Sequence, residues 1–293
     1  MQTLQIDPVL PYVVPAMAHV TVALVGCGGT GSHLAQSLAR LAAHCRDTAG
    51  APEVSLTFID GDTVEPKNVG RQLFSDADVG TNKAQALAAR FSAVFGLRIQ
   101  AIPHMLAEAV AVRTLPGSYG IVIGAVDGAA GRRAITTQLG GISAAEWRLW
   151  LDCGNHESSG QVCIGSVLTA SLLHRSLQAG ICGRLPAPSL LYPELLKDAP
   201  KRRRADCAAA MQDNAQSLMV NQTMAAIAAQ YLYQVIIRRR LTTFRTVVDL
   251  ETLTMRSDPI TARALAAATG IAEDQLQAPA PQPQKRTRRR NAA

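Results

Sequence analysis

A chain of 293 residues with 48% hydrophobic content and a mean hydropathy near zero can bury a full core of one or two domains, which excludes a disordered or fibrous polypeptide. No run of about 18 apolar residues is present to span a bilayer, and the first residues lack the basic flank and continuous apolar core of a secretory signal, so a cytoplasmic protein with no membrane partner is expected. The net charge of +7 is local: the runs KRRR (201–204) and KRTRRR (285–290) hold four and five of the 29 basic residues, leaving 20 basic against 22 acidic in the body, so nucleic acid is not an expected partner except through the basic tail.

Residues 1–18 read as an N-terminal segment. From there the elements alternate. HVTVALV (19–25) is a short apolar run ending in glycines, and 30–43 carries apolar residues at helical spacing, giving strand, glycine turn, helix. Residues 54–59 make a second strand, and NKAQALAARFSAVF (82–95) a second helix with Gly96 placed to stop it. A third strand is expected over 97–102, a helix over 104–113, and a buried fourth strand, GIVIGAV (120–126), with a helical stretch from Ala129. Such alternation predicts an α/β, Rossmann-like fold, a mainly parallel sheet with helices on both faces.

The second half changes character. Strands are expected at 147–152 and 161–168, extending the sheet, with the polar loop GNHESSG between them. Residues 181–204, rich in Pro, Gly and charge, read as a long irregular crossing. Apolar residues recur at helical spacing over 217–240, and 246–250 is expected as a final strand. The expected organisation is one domain over 19–270, its nucleotide-binding part about 19–145 and its protein-substrate and dimer part about 146–270, followed by a disordered basic tail, 271–293.

The motif GCGGTG supplies Gly26, Gly28, Gly29 and Gly31 between a strand and a helix. Glycines there let the backbone approach phosphates, while the free N–H groups of the helix start face the negative charge. Asp60, ending the second strand, is the expected partner of ribose hydroxyls. It lies 29 residues beyond Gly31, which implies an extra loop around 44–52. These features serve NAD and ATP alike. The loop IDGDTVEPKNVGRQLF (59–74) discriminates between them, because it continues to Asn68 and Arg71, with Lys83 at the next helix start, and a triphosphate needs such cations. Asp127, after the fourth strand, would repel phosphates unless a Mg²⁺ ion sat between, although it would equally cap the following helix, and Lys83 would equally sit on an exposed helix turn. A nicotinamide-dependent oxidoreductase on the same turn leaves Arg71, Lys83 and Asp127 without a task.

GCGGTG, DGDTVEPKNVGRQLF, DVGTNKAQA and Asp127 together resemble the ThiF/MoeB/HesA superfamily, related to ubiquitin-activating enzymes, over about residues 20–250. LDCGNHESSGQV and DCAAAMQDNAQSLMVNQTMA are similar to the ThiF-family branch of the bacterial PRTRC system. The resemblance implies a homodimeric enzyme that uses ATP and Mg²⁺ to adenylate the C-terminal glycine of a small ubiquitin-like protein. It puts Asp60 on the ribose, Asn68, Arg71 and Lys83 on the phosphates, and Asp127 on the metal; Asp62 and Gln72 join the nucleotide-binding set. Cys207 occupies a place where some relatives carry an acyl-accepting thiol, with Cys182 as a second candidate and Cys153 and Cys163 read as core. Two departures stand out. Residues 1–39 contain no Arg or Lys, so an N-terminal arginine reaching a partner's nucleotide is not expected, and the absence of any Cys-x-x-Cys predicts no structural zinc. A nucleotide-binding interaction module without catalysis is the remaining alternative.

Overall fold

The computed structural model describes residues 7–107, 112–140, 147–198 and 218–278. After a two-residue strand β1 (Tyr12–Val13), the first half runs β2 (His19–Val25), α1 (Gly29–Arg46), β3 (Glu53–Ile59), α2 (Lys83–Phe95), β4 (Ile99–Ile102), β5 (Tyr119–Gly124) and α3 (Ala129–Gly140). β2 is apolar almost throughout because it is covered on both faces. Val20, Val22 and Leu24 enter one core, and Ala23 and Val25 enter the other. α1 packs between α2 and the later helix 218–233 on the first face, while α3 places Ile135 in the second core. Asn82 caps α2 by accepting from the Gln85 N–H at 3.1 Å, and Gly96 ends the helix in the left-handed conformation.

The second half adds β6 (Trp147–Asn155), β7 (Ser159–Gly165), β8 (Leu177–Gln178), β9 (Ile181–Cys182), α4 (Pro188–Leu191), α5 (Leu218–Tyr233), β10 (Arg240–Leu241), β11 (Thr243–Asp249), β12 (Thr254–Pro259), α6 (Ala262–Thr269) and α7 (Glu273–Leu276). The main sheet has eight strands in the order β12-β11-β7-β6-β5-β2-β3-β4. β4, β3, β2, β5 and β6 are parallel, and the other three are antiparallel additions. Chain direction across the sheet reverses between β2 and β5, so a crevice opens at their carboxyl ends. A smaller sheet, β10-β1-β9-β8, joins the N-terminal strand to the second half.

Several expectations are corrected. No helix forms over 103–107 or 112–118; burial of Leu106 and Val112 in the second core overrides the helical periodicity read at 104–113. The extra length expected as a loop at 44–52 goes partly into α1, which runs on to Arg46 because Cys45 is buried and the Arg46 guanidinium donates to the Phe95 and Gly96 carbonyls. The helix read to Arg240 widens into a π-type turn at Gln234–Arg238, and Arg239 stops it with φ of +52°. β12 and α6 were not expected. Residues 271–278, assigned to the tail, are packed: Leu276 is fully buried, and Gln277 bridges Leu177. Both basic runs and Cys207 lie outside the described residues. No helix among the described residues is long and apolar enough to cross a membrane.

Candidate nucleotide site

The turn after β2 is built by close approach. Gly26 has φ of +90°, and a side chain at Gly31 would place its Cβ 1.9 Å from the Gly26 carbonyl oxygen, so both positions are glycine for internal fit. Gly28 differs: a Cβ there would meet nothing nearer than the Gln72 Nε2 at 4.0 Å, because this glycine faces an open cavity. Asp60 locks the turn. Its Oδ2 accepts the Cys27 N–H at 2.6 Å and its Oδ1 accepts the Asp62 N–H at 2.8 Å. Burial lifts the Asp60 carboxyl above its ordinary value, with the two backbone donors opposing that rise.

The loop after β3 is held at several points. The Glu65 N–H donates to Asn68 Oδ1 at 2.9 Å, the Gln72 N–H to the Asn68 carbonyl at 2.9 Å, and the Leu73 N–H to Ser32 Oγ at 3.0 Å. Arg90 reaches back from α2 to the Leu73 carbonyl and pairs with Asp78. Val64 and Phe74 anchor both ends in the core. These bonds fix the backbone that carries Arg71 and Gln72. Arg71 Nε and Gln72 Oε1 are both buried without a protein partner, one a donor and one an acceptor. Lys83 Nζ pairs with Asp62 at 2.9 Å; the lysine is nearly buried and the aspartate exposed.

These groups converge on one cavity of about 570 Å³ over the carboxyl ends of β2, β3, β5 and β6. Of the residues anticipated from the sequence, Gly26, Gly28, Gly29, Asp60, Asp62, Arg71, Gln72, Lys83 and Asp127 line it. Gly31 and Asn68 do not: Gly31 packs under the turn, and the Asn68 side chain is spent capping the short turn at Pro66–Asn68. Cys207 lies outside the described residues. The described cysteines are all buried, and burial raises each thiol above its ordinary value. Cys182 donates its Sγ–H to the Arg184 carbonyl at 3.0 Å and does not line the cavity, and Cys153 and Cys163 sit in the core.

Sequence reading missed four contributors. Met105 and Leu106 supply apolar wall. Asn155, ending β6, and Asn221, in the first turn of α5, meet at the glycine turn, where Asn221 Oδ1 accepts from Asn155 Nδ2 at 2.5 Å and from Thr30 Oγ at 3.1 Å. A polar residue on an otherwise apolar helix face was the available signal for Asn221. Below them Arg132 and Asp152 form a buried ion pair at 3.0 Å, and burial pushes the Asp152 carboxyl up to about 6 against the pull of Arg132.

The donor set suits an anionic ligand: helix N-terminus, guanidinium, ammonium and amides on one side, apolar wall on the other. Among the described residues no cluster of three or more His, Cys, Asp or Glu could hold a metal ion. The exposed carboxylate of Asp127 fits a cation that takes its remaining ligands from phosphate and water, as Mg²⁺ does.

Comparison with known proteins follows the same line. The ATP-dependent ubiquitin transferase-like protein Cap2 of Pseudomonas aeruginosa is 34% identical over 88 residues, which is 30% of this chain and 15% of that protein. Similar solved structures include PaaA, 18% identical with a TM-score of 0.52, covering 83% of this chain and 64% of that one. Another is E. coli MccB crystallised with ATP, 16% identical with a TM-score of 0.51, covering 83% of this chain and 63% of that one. The chain thus spans less than two thirds of each of these proteins, and the structural likeness is one of fold. The ThiF family model matches residues 13–268, nearly the whole described fold, and the chain belongs to the ThiF family.

Proposed function

We propose that this chain is an ATP-dependent adenylyltransferase that activates the C-terminal glycine carboxylate of a small ubiquitin-like protein, working as a homodimer. The observation that carries the reading is the convergence of Arg71, Lys83 and Asp127 with the open glycine turn on one cavity, and the family supports it.

The apolar wall at Met105 and Leu106 suits a base, and Asp60 and Asp62 lie where ribose hydroxyls would find acceptors. A substrate carboxylate oxygen attacks the α-phosphorus; the bond to the bridging oxygen breaks, and pyrophosphate leaves with that electron pair. Charge grows on the phosphate oxygens, and the Arg71 guanidinium and Lys83 ammonium, fixed before the reaction, stabilise it. Asp127 would hold Mg²⁺, which supplies further neutralisation of the phosphates. Lys83 exchanges its bond to Asp62 for the phosphates as they enter. The product is an acyl-adenylate, and the Cys207 thiolate would then attack its acyl carbon, breaking the bond to the phosphate oxygen and releasing AMP as the thioester forms.

Exchange of labelled pyrophosphate into ATP, dependent on a ubiquitin-like protein ending in glycine, tests the reading. Asp127→Ala is expected to abolish exchange. Cys207→Ala is expected to retain exchange and lose only the thioester; a thioester persisting in that variant refutes the assignment. ATP binding with no exchange for any glycine-ended partner would leave a binding module, and preference for NAD would return the oxidoreductase.

A further inference from the structure

Asn221 has no assigned task, yet it lines the cavity at the glycine turn. It is 1% exposed in a helix of mainly apolar residues, and burying an amide in that position is costly unless its hydrogen bonds are made. Its plane lies against Gly29 so closely that a Cβ there would come within 2.6 Å of Asn221 Nδ2. Two donors, Asn155 Nδ2 and Thr30 Oγ, converge on Oδ1. That fixes the orientation of the amide. With Oδ1 taken by two protein donors, Nδ2 is the remaining polar group of a residue that lines the cavity beside the N-terminus of α1.

We propose that Asn221 is a nucleotide-binding residue whose Nδ2 donates a hydrogen bond to the phosphate seated on the glycine turn. The inference deepens the adenylyltransferase reading and rests on it for the identity of the phosphate. The chemistry is specific. The turn and helix start offer backbone N–H groups, Arg71 and Lys83 offer cations from the loop after β3 and the start of α2, and Asn221 offers a neutral donor from α5. Thr30 and Asn155 act as positioning residues, since both reach the ligand through the Asn221 amide. Gly29 is glycine because any side chain would displace that amide.

The test uses full-length protein with asparagine side chains labelled with ¹⁵N, together with labelled glycine. Asn221→Asp keeps the oxygen that Asn155 and Thr30 need but trades the donor for a second oxygen and a negative charge, so it serves only to identify the Asn221 NH₂ resonance by its disappearance. Addition of a non-hydrolysable ATP analogue is expected to move this resonance together with the Gly28 and Gly29 amides, whereas adenosine is expected to leave it in place. In binding assays Asn221→Leu, which removes the donor without adding charge and whose folding is checked by its melting curve, is expected to weaken the analogue about tenfold or more while adenosine affinity stays within about twofold. An Asn221 resonance that stays fixed while Gly28 and Gly29 shift would overturn the proposal and leave the adenylation reading intact. Analogue binding that moves none of the three would overturn both.

Discussion

Lys83 is nearly buried and already paired, so its ammonium is desolvated before any ligand arrives. Lys83→Met is therefore expected to lower pyrophosphate exchange by roughly 100-fold or more, because a cation aimed at developing phosphate charge is lost. Asp152 behaves differently. Its folded-state value is raised, so the stability it contributes is fully present below about pH 4 and is lost as the pH rises through about 6. Plots of melting temperature against pH from 4 to 7 are expected to fall more steeply for the parent than for Asp152→Asn, whose amide does not titrate. Equal slopes would show that Asp152 does not titrate there. At this scale the charged residues of the site were legible, since Asp60, Asp62, Arg71 and Lys83 share one connection of the chain. Asn155 and Asn221 were not, because they reach Thr30 across 125 and 191 residues of sequence. Asn68 spends its side-chain oxygen on the Glu65 N–H and does not line the cavity, a difference its place in the loop does not show in sequence.

The strand, turn and helix at 19–46 were readable almost to the residue, because an apolar run, a glycine cluster and a helical period are local signals. The same turn separates two kinds of glycine. Gly31→Ala drives a Cβ into the Gly26 carbonyl and is expected to cost about 3 kcal/mol or more in urea unfolding. Gly28→Ala meets only open cavity; it should leave unfolding within about 1 kcal/mol and weaken nucleotide binding instead. If both variants lost stability alike, the assignment of Gly28 to the ligand would fail. What the sequence could not give was the fate of 104–113, where tertiary burial of Leu106 overrode helical spacing, or β12, whose mostly exposed residues carry little apolar alternation.

At the scale of the molecule, the doubly wound half was legible because its sheet is built from successive strand–helix units. The antiparallel additions and the small second sheet depend on pairing between distant segments, which no local pattern encodes. The packed end of the chain gives a direct test. A chain stopped after Ala278 is expected to keep nucleotide affinity and cooperative unfolding, whereas one stopped after Gly270 loses the burial of Ile271 and Leu276 and is expected to melt several degrees lower.

The pairing of Tyr12 with Leu241 has a consequence during synthesis. β2, β3 and β5 have their mutual contacts once the chain is made as far as Gly124, but β1 waits for β9 on one edge and, on the other, for β10, which leaves the ribosome more than a hundred residues after Gly124. β1 is thus paired on both edges only after the doubly wound half is complete, and until then its open edges face other chains or a chaperone.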